Sequence, residues 1–298
     1  MKYVFQLVLG IACAAHAGAA GSGIIAPGAT LRKLAGEFAF TEGPASDRKG
    51  NVFFTDQPND RILKWSVDGR LSTFMQPCGR ANGLSFDRKG RLWACADAQN
   101  ELWRIARAGK PAVILKGYQG QRFNGPNDLW IHPRGGLYFT DPYYHRSYWK
   151  RGPKEMGEHV YYLAPDCRTL TRVIDDLQQP NGIIGTPDGK WLYVTDIKAG
   201  KTYRYHIQPD GALTGKKLFC ELGSDGMTID HRGNLYLTGK GVSVFSPDGL
   251  KIEQIEVPEP WTSNVCFGGK GRKTLFITAS KSLYALPMAV HGVDSQSK

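Results

Sequence analysis

Six polar side chains recur at one place in a repeated phrase. Glu42, Asn82, Asn127, Asn181 and Asp225 each stand eight residues before a turn glycine, and Asn264 stands seven before Gly271. Two are carboxylates and four are amides, so the set offers oxygen donors without imidazole or thiolate. Such a set suits a hard divalent cation such as calcium, magnesium or manganese. A carboxylate kept ionised beside a cation can also serve as a base. Asn and Asp at strand ends equally act as Asx-turn caps, and for Asn82 and Asn264 capping and ligation both stand open.

The elements that must position these residues follow from the phrase itself. Thr41-Glu42-Gly43-Pro44-Ala45-Ser46-Asp47-Arg48-Lys49-Gly50 leads into Asn51-Val52-Phe53-Phe54-Thr55-Asp56. Ala81-Asn82-Gly83-Leu84-Ser85-Phe86-Asp87-Arg88-Lys89-Gly90 leads likewise into an apolar run ending at Asp97, and four looser copies follow. The intervals between the six polar positions are 40, 45, 54, 44 and 39 residues. Each interval holds about four short strands with tight turns. A repeat of that length, rich in β-branched and aromatic runs, predicts an all-β six-bladed β-propeller with a central metal site. Closure around an axis would bring the six polar positions into one ring. Glu42 and Asp225 would then repel unless a cation lay between them.

The last unit ends one strand short, and residues 30–34 are expected to close it beside residues 282–286, because an unclosed blade leaves an open edge. Strand direction puts the polar ring on the same face as the loops between second and third strands. The longest such loop, residues 141–158, inserts Tyr143, Tyr144, His145, Tyr148, Trp149, Lys150 and Arg151. It reads as a lid or substrate wall, or else as an excursion packed on a neighbouring blade.

Residues 1–20 carry Lys2, an apolar run over 4–14 and small residues after it, the pattern of a secretory signal too short for a stable bilayer anchor. Residues 21–290 are expected to form one domain and residues 291–298 a polar tail. Secretion or a periplasmic location follows, with no membrane association once the signal is removed. The formal charge is +11, but the cations are scattered through turns. That describes a solvated basic surface without nucleic-acid binding, and it would also suit an anionic substrate or an acidic cell-wall neighbour. Cys78, Cys95, Cys167, Cys220 and Cys266 remain after the signal, with no C-x-x-C or metal-finger spacing. No G-x-S-x-G elbow is present, so a Ser-His-Asp hydrolase has little support.

Phe40-Thr41-Glu42-Gly43-Pro44, Arg122-Phe123-Asn124-Gly125-Pro126-Asn127-Asp128, Tyr138-Phe139-Thr140-Asp141-Pro142, Pro180-Asn181-Gly182, Asp225-Gly226-Met227 and Asn264-Val265-Cys266-Phe267-Gly268-Gly269 stand in order along the chain. Together they resemble the gluconolactonase, regucalcin and luciferin-regenerating-enzyme family. The resemblance implies one divalent cation, calcium first, with magnesium, manganese or zinc as the other candidates. It places the metal ligands on Glu42, Asn181 and Asp225, with Asn127 as a fourth ligand or substrate contact. Asp225 is the implied catalytic carboxylate, and Arg122, Asn127, Asp128 and Tyr144 are the candidate substrate contacts. The implied reaction is metal-dependent hydrolysis of a sugar lactone by a monomer. The cation would polarise the ester carbonyl, and Asp225 would act as base or orient the water. Hydrolysis of a phosphotriester or non-sugar lactone, or calcium binding without turnover, are the alternatives.

Overall fold

The computed structural model describes residues 23–106 and 108–293. The expected signal, residues 1–20, lies outside the described residues, as does the end of the expected tail, residues 294–298. Six four-stranded antiparallel sheets are present, five of them running outward in chain order from the innermost strand. The innermost strands are Thr41–Ser46, Ala81–Phe86, Leu129–Ile131, Pro180–Gly185, Met227–Ile229 and Thr262–Gly268, which define blades 1 to 6. The chain is a six-bladed propeller.

Blade 6 is closed by the segment before the first repeat. Arg32–Ala35 pairs antiparallel with Ser282–Pro287, with Arg32 opposite Ala285 and Lys33 opposite Tyr284. The strand starts at Arg32 rather than at residue 30, because the chain first turns over Ala26 to Ala29 and bridges Ile25 to Met288. Residues 291–293, read from the sequence as the start of a tail, instead run back under blade 5. Gly292 bridges to Asp230, and Val293 packs among the residues of blades 4 and 5.

Apolar faces of successive blades pack on one another. Trp130, Tyr138 and Val160 of blade 3 meet Ile183, Leu192 and Val194 of blade 4, for example, with all six side chains nearly excluded from water. Hydroxyl groups tie the same interfaces near the axis. Thr195 Oγ1 donates to Ser224 O at 2.7 Å and Thr238 Oγ1 to Ser263 O at 2.8 Å, each reaching into the following blade.

Two local features aim the polar ring. In four blades the pairing of the innermost strand slips at the ring position, between Glu42 and Ala45, Ala81 and Leu84, Pro180 and Ile183, and Thr262 and Asn264. A bulge of this kind re-aims a side chain that regular pleating would send into a blade face. The residue after the ring position is glycine in blades 1, 2, 4 and 5, because neighbouring strands nearly touch there. A Cβ at Gly83 would lie 2.5 Å from Asn127 O, and one at Gly43, which also has φ of 45°, would collide with Asn82 O.

Candidate active site

The ring position of each blade delivers its side chain to one end of the axis. Glu42 is 2% exposed; its Oε2 accepts the Gly43 N–H at 2.8 Å and a longer contact from Asn264 Nδ2 at 3.4 Å. Asp225 is gripped at both oxygens. Oδ1 accepts from Asn181 Nδ2 at 2.9 Å, and Oδ2 accepts from the indole Nε1 of Trp261 at 2.7 Å. Asn181 Nδ2 also donates to the Tyr144 hydroxyl at 2.8 Å, which brings the long loop down onto the ring. Asn127 is buried beside them, its backbone N–H held by Thr140 O and its carbonyl accepting from Gly83.

The charges of the ring work against one another. Withdrawal from water, then repulsion from Asp225 and Asp128, holds the Glu42 carboxyl well above the ordinary glutamate range. Burial pushes Asp225 up to about 6 despite the hydrogen bonds from Trp261 and Asn181. Asp128 is pushed up to about 7, again chiefly by burial. Three carboxyl groups therefore share a small, poorly solvated space with little positive charge, and a bound cation would relieve that repulsion.

Two further atoms fit a cation. The side-chain oxygens Asn82 Oδ1 and Asn181 Oδ1 are buried without a hydrogen-bond partner, and an orphaned carbonyl oxygen in such a place is costly unless something accepts its lone pairs. Asn264 differs. Its Oδ1 accepts the Val265 N–H at 2.8 Å and its amide turns toward Glu42, so it caps and braces. The two residues that sequence left as either caps or ligands thus differ: Asn264 is engaged as a cap, while the Asn82 oxygen is left without a partner. The donors are carboxylate and amide oxygens. Among the described residues, no group of three or more His, Cys, Asp and Glu side chains is placed to hold a metal.

A family model described as the SMP-30/gluconolactonase/LRE-like region matches residues 40–281. The chain belongs to this family. A gluconolactonase of Zymomonas mobilis is 31% identical over 285 residues, spanning 85% of this chain and 80% of the relative. A solved gluconolactonase from Xanthomonas campestris superposes with a TM-score of 0.84 at 29% identity, covering 90% of this chain and 92% of that one. Regucalcin of Agrobacterium tumefaciens, a calcium-binding protein, shares the fold with a TM-score of 0.75 at 21% identity, over 89% of this chain and 96% of that one.

Against the expectations drawn from the family resemblance, the structure brings Glu42, Asn127, Asn181, Asp225 and Tyr144 together at the ring. Asp128 lies just beneath it. Its Oδ1 accepts the Leu129 N–H at 2.9 Å, and its side chain lines a cavity of about 110 Å³ inside the channel. Arg122 stands apart, exposed on the two-residue strand Gln121–Arg122, its backbone N–H donating to Glu155. The cationic place beside Asp225 belongs instead to Arg146 of the long loop. Its Nε pairs with Asp97 Oδ2 at 3.2 Å, and its guanidinium sits 5.4 Å from the Tyr144 ring.

Trp261, Arg146 and Asp97 are the site residues that sequence reading missed. Asp97 had a signal. Asp56, Asp141 and Asp196, at the same place in their blades, each accept two backbone N–H groups from the segment entering the innermost strand. In blade 2 that duty falls to Asp60, which holds Cys78 N and Arg80 N. Asp97 is therefore available to the loop. It takes Arg146 and the Tyr148 hydroxyl on Oδ2, while its carbonyl accepts the Trp149 indole at 2.8 Å.

Proposed function

We propose that the protein hydrolyses a sugar lactone at this ring, with Asp225 as the base. The observation that carries the reading is the doubly gripped Asp225 carboxylate beside Glu42, in a chain of the gluconolactonase family. The Zymomonas relative, named a gluconolactonase, supports the substrate class.

Opening a lactone adds water across the acyl C–O bond. The water oxygen bonds to the carbonyl carbon, the ring C–O bond breaks, and the proton lost by the water ends on the alkoxide of the leaving arm. Asp225 is the group on this chain that can take that proton and return it. Asn181 and Trp261 fix its two oxygens from opposite sides, so little reorganisation is needed as charge moves. Glu42, Asn181 and Asp225, with Asn127 and the orphaned Asn82 oxygen, are the residues that would hold a divalent cation. When bound, it supplies positive charge to polarise the ester carbonyl. The calcium-binding neighbour and the all-oxygen donors support calcium first, with magnesium and manganese next. Tyr144 and Arg146 overhang the ring and offer a hydroxyl, an aromatic face and a guanidinium to a polyol.

The test is hydrolysis of glucono-δ-lactone by metal-stripped protein and after return of calcium, magnesium, manganese or zinc singly. Turnover should vanish with chelator and return with at least one ion. Absence of turnover under every metal, with the fold intact, would remove the reading. The signal-like residues 1–20 support export as a further proposal, and recovery of the protein in the cytoplasmic fraction alone would refute it.

A further inference from the structure

The hydrogen bonds at the ring form a short chain with an aromatic side chain at each end. The Tyr144 hydroxyl accepts from Asn181 Nδ2 at 2.8 Å, the same nitrogen donates to Asp225 Oδ1 at 2.9 Å, and Trp261 Nε1 donates to Asp225 Oδ2 at 2.7 Å. The two ends are not alike. Tyr144 is half-buried in a loop packed on its neighbours, whereas Trp261 is 38% exposed. The other exposed large apolar side chains among the described residues are Val67, Leu71, Val113, Leu218 and Leu250. They stand on outermost strands or in the turns that lead into them. Trp261 is the one that carries exposed apolar surface to the ring.

This side chain is held at three places. One hydroxyl clasps its backbone, since Trp261 N donates to Ser280 Oγ at 3.2 Å and Ser280 Oγ donates to Trp261 O at 3.1 Å. The indole nitrogen is tied to Asp225. The benzo edge rests over Gly239, where an added Cβ would stand 3.6 Å from Trp261 Cη2. A φ of 148° makes that position one for glycine, so no side chain comes between the ring and the backbone. The indole thus spans the ring end of blade 5, from Asp225, just before Met227–Ile229, to Gly239, the last residue of Leu235–Gly239. With both edges committed, what it offers to solvent is a flat face.

We propose that Trp261 is the platform on which the sugar ring of the substrate lies, in addition to positioning Asp225. The inference rests on the proposed lactone hydrolysis. A pyranose ring is a disc with apolar C–H faces and a rim of hydroxyls, and an indole face with a carboxylate at its edge answers both. A ring laid on that face has its own edge beside Asp225, because the base is bonded to the edge of the platform. A protein partner would want a patch of several exposed apolar side chains, and this one is single. The two duties sit on different parts of one side chain. The N–H acts through Asp225, the face touches substrate, and substitution can separate them.

The test uses the calcium-loaded protein. Trp261→Phe keeps an aromatic face and removes the donor, so kcat on glucono-δ-lactone should fall about tenfold or more while KM stays within about twofold. Trp261→Gln keeps an N–H donor and removes the face, so KM should rise about tenfold while kcat stays within about threefold. A mere brace would move both constants alike in both variants, and that outcome would overturn the proposal. A second readout needs no turnover. The neutral sugar 1,5-anhydro-D-glucitol, a pyranose ring that hydrolysis cannot open, should shift the tryptophan fluorescence of the parent and leave that of both variants unchanged. Its open-chain counterpart D-glucitol should give a weaker shift. An inactive parent that still shows the Trp261-dependent shift would keep the platform and remove lactone hydrolysis. An active parent with unchanged KM in Trp261→Gln would remove the platform alone. So would a fluorescence response that survives in Trp261→Phe or is as large with D-glucitol.

Discussion

The two duties proposed for Asp225 would pull in opposite directions, since a base must hold its proton only briefly and a metal ligand should not hold one at all. Its contacts favour the ionised form, while burial disfavours it. Glu42→Gln and Asp225→Asn should therefore each weaken divalent binding, measured by calorimetry. Turnover should fall by about 10²-fold or more, and further for Asp225→Asn because the base goes with the ligand. Full-strength calcium binding in the double variant would rule the ring out as a metal site. Asn82→Ala should weaken the metal as well, a larger effect than a capping role would give, because its Oδ1 has no other partner. The pH dependence of the metal-free protein follows from the same crowding. Folded carboxyls at about 6 for Asp225 and about 7 for Asp128 lie above their unfolded values of about 4. Between those values the folded state binds more protons than the unfolded, so the stability these groups contribute is present at low pH and lost as pH rises from about 4 to about 7. Melting temperature without metal should fall over that window. Asp128→Asn should flatten the fall, and a bound cation should do the same; a flat profile in the parent would contradict the crowding. The ring residues were legible in the sequence because a repeat places them at a fixed distance from a turn glycine. Trp261 and Arg146 were not, because each sits in an irregular connector whose course depends on what it packs against.

Bulges and glycines carry the information at the scale of the strand. The repeat displays the glycine after Glu42, Asn82, Asn181 and Asp225, but only the closeness of neighbouring strands explains it. Gly83→Ala makes the point testable. Its Cβ would stand 2.5 Å from Asn127 O and 2.8 Å from the Asp128 Cα, both backbone atoms that cannot swing away. The variant should lose about 1–3 kcal/mol of stability and should weaken metal binding, because relief requires moving the strand that holds Asn127. Denaturant unfolding that matched the parent would show the strands to be less tightly set. The long loop packs on both neighbouring blades, where Tyr144 reaches Asn181 and Arg146 reaches Asp97, which fits a substrate wall and a packed excursion alike. Sequence reads the loop, with Tyr143, Tyr144 and Trp149, as a substrate wall, yet Trp149 is committed to the body of the protein. Its indole bonds Asp97 O, and Arg151 stacks 4.5 Å from its ring. If the loop supplies uniform substrate binding, replacing residues 143–157 by Gly-Ser-Gly should raise KM and blur preference among aldonolactones while metal affinity stays near the parent value. Steady-state kinetics on several lactones would decide it, and unchanged KM with unchanged preference would reduce the loop to a brace.

For the molecule as a whole, the decisive feature is that blade 6 is assembled from both ends of the chain. Three of its strands come from Thr262–Gly268, Thr274–Ala279 and Ser282–Pro287, and the fourth, Arg32–Ala35, precedes every repeat. The sequence made this visible as an arithmetic deficit, one strand missing at the end and one orphan at the start. It could not show that the start also bridges Ile25 to Met288 or that Phe38 packs edge-on against Phe54 at 5.4 Å. The Phe38 contact lies where blade 6 meets blade 1, and there Thr41 Oγ1 also donates to Ser282 O at 3.0 Å and Ser263 Oγ to Thr41 O at 2.6 Å. A chain beginning at Glu37 would lose a strand of four residues and expose the outer edge of Ser282–Pro287. At about 1 kcal/mol per lost backbone bond, and with a melting shift of about 2–4 °C per kcal/mol for a domain of this size, the midpoint should fall by about 10 °C. The exposed edge should also make the shortened protein associate at high concentration, because unpaired strand edges template pairing with other chains. Metal affinity per folded molecule should change far less, since Arg32–Ala35 is the strand of blade 6 farthest from the axis. Thermal unfolding, light scattering and calcium titration on one preparation separate these outcomes. An unchanged midpoint would mean that the propeller is held shut by blades 1 and 6 at the axis alone, and that the outer strand serves as a cover rather than a clasp.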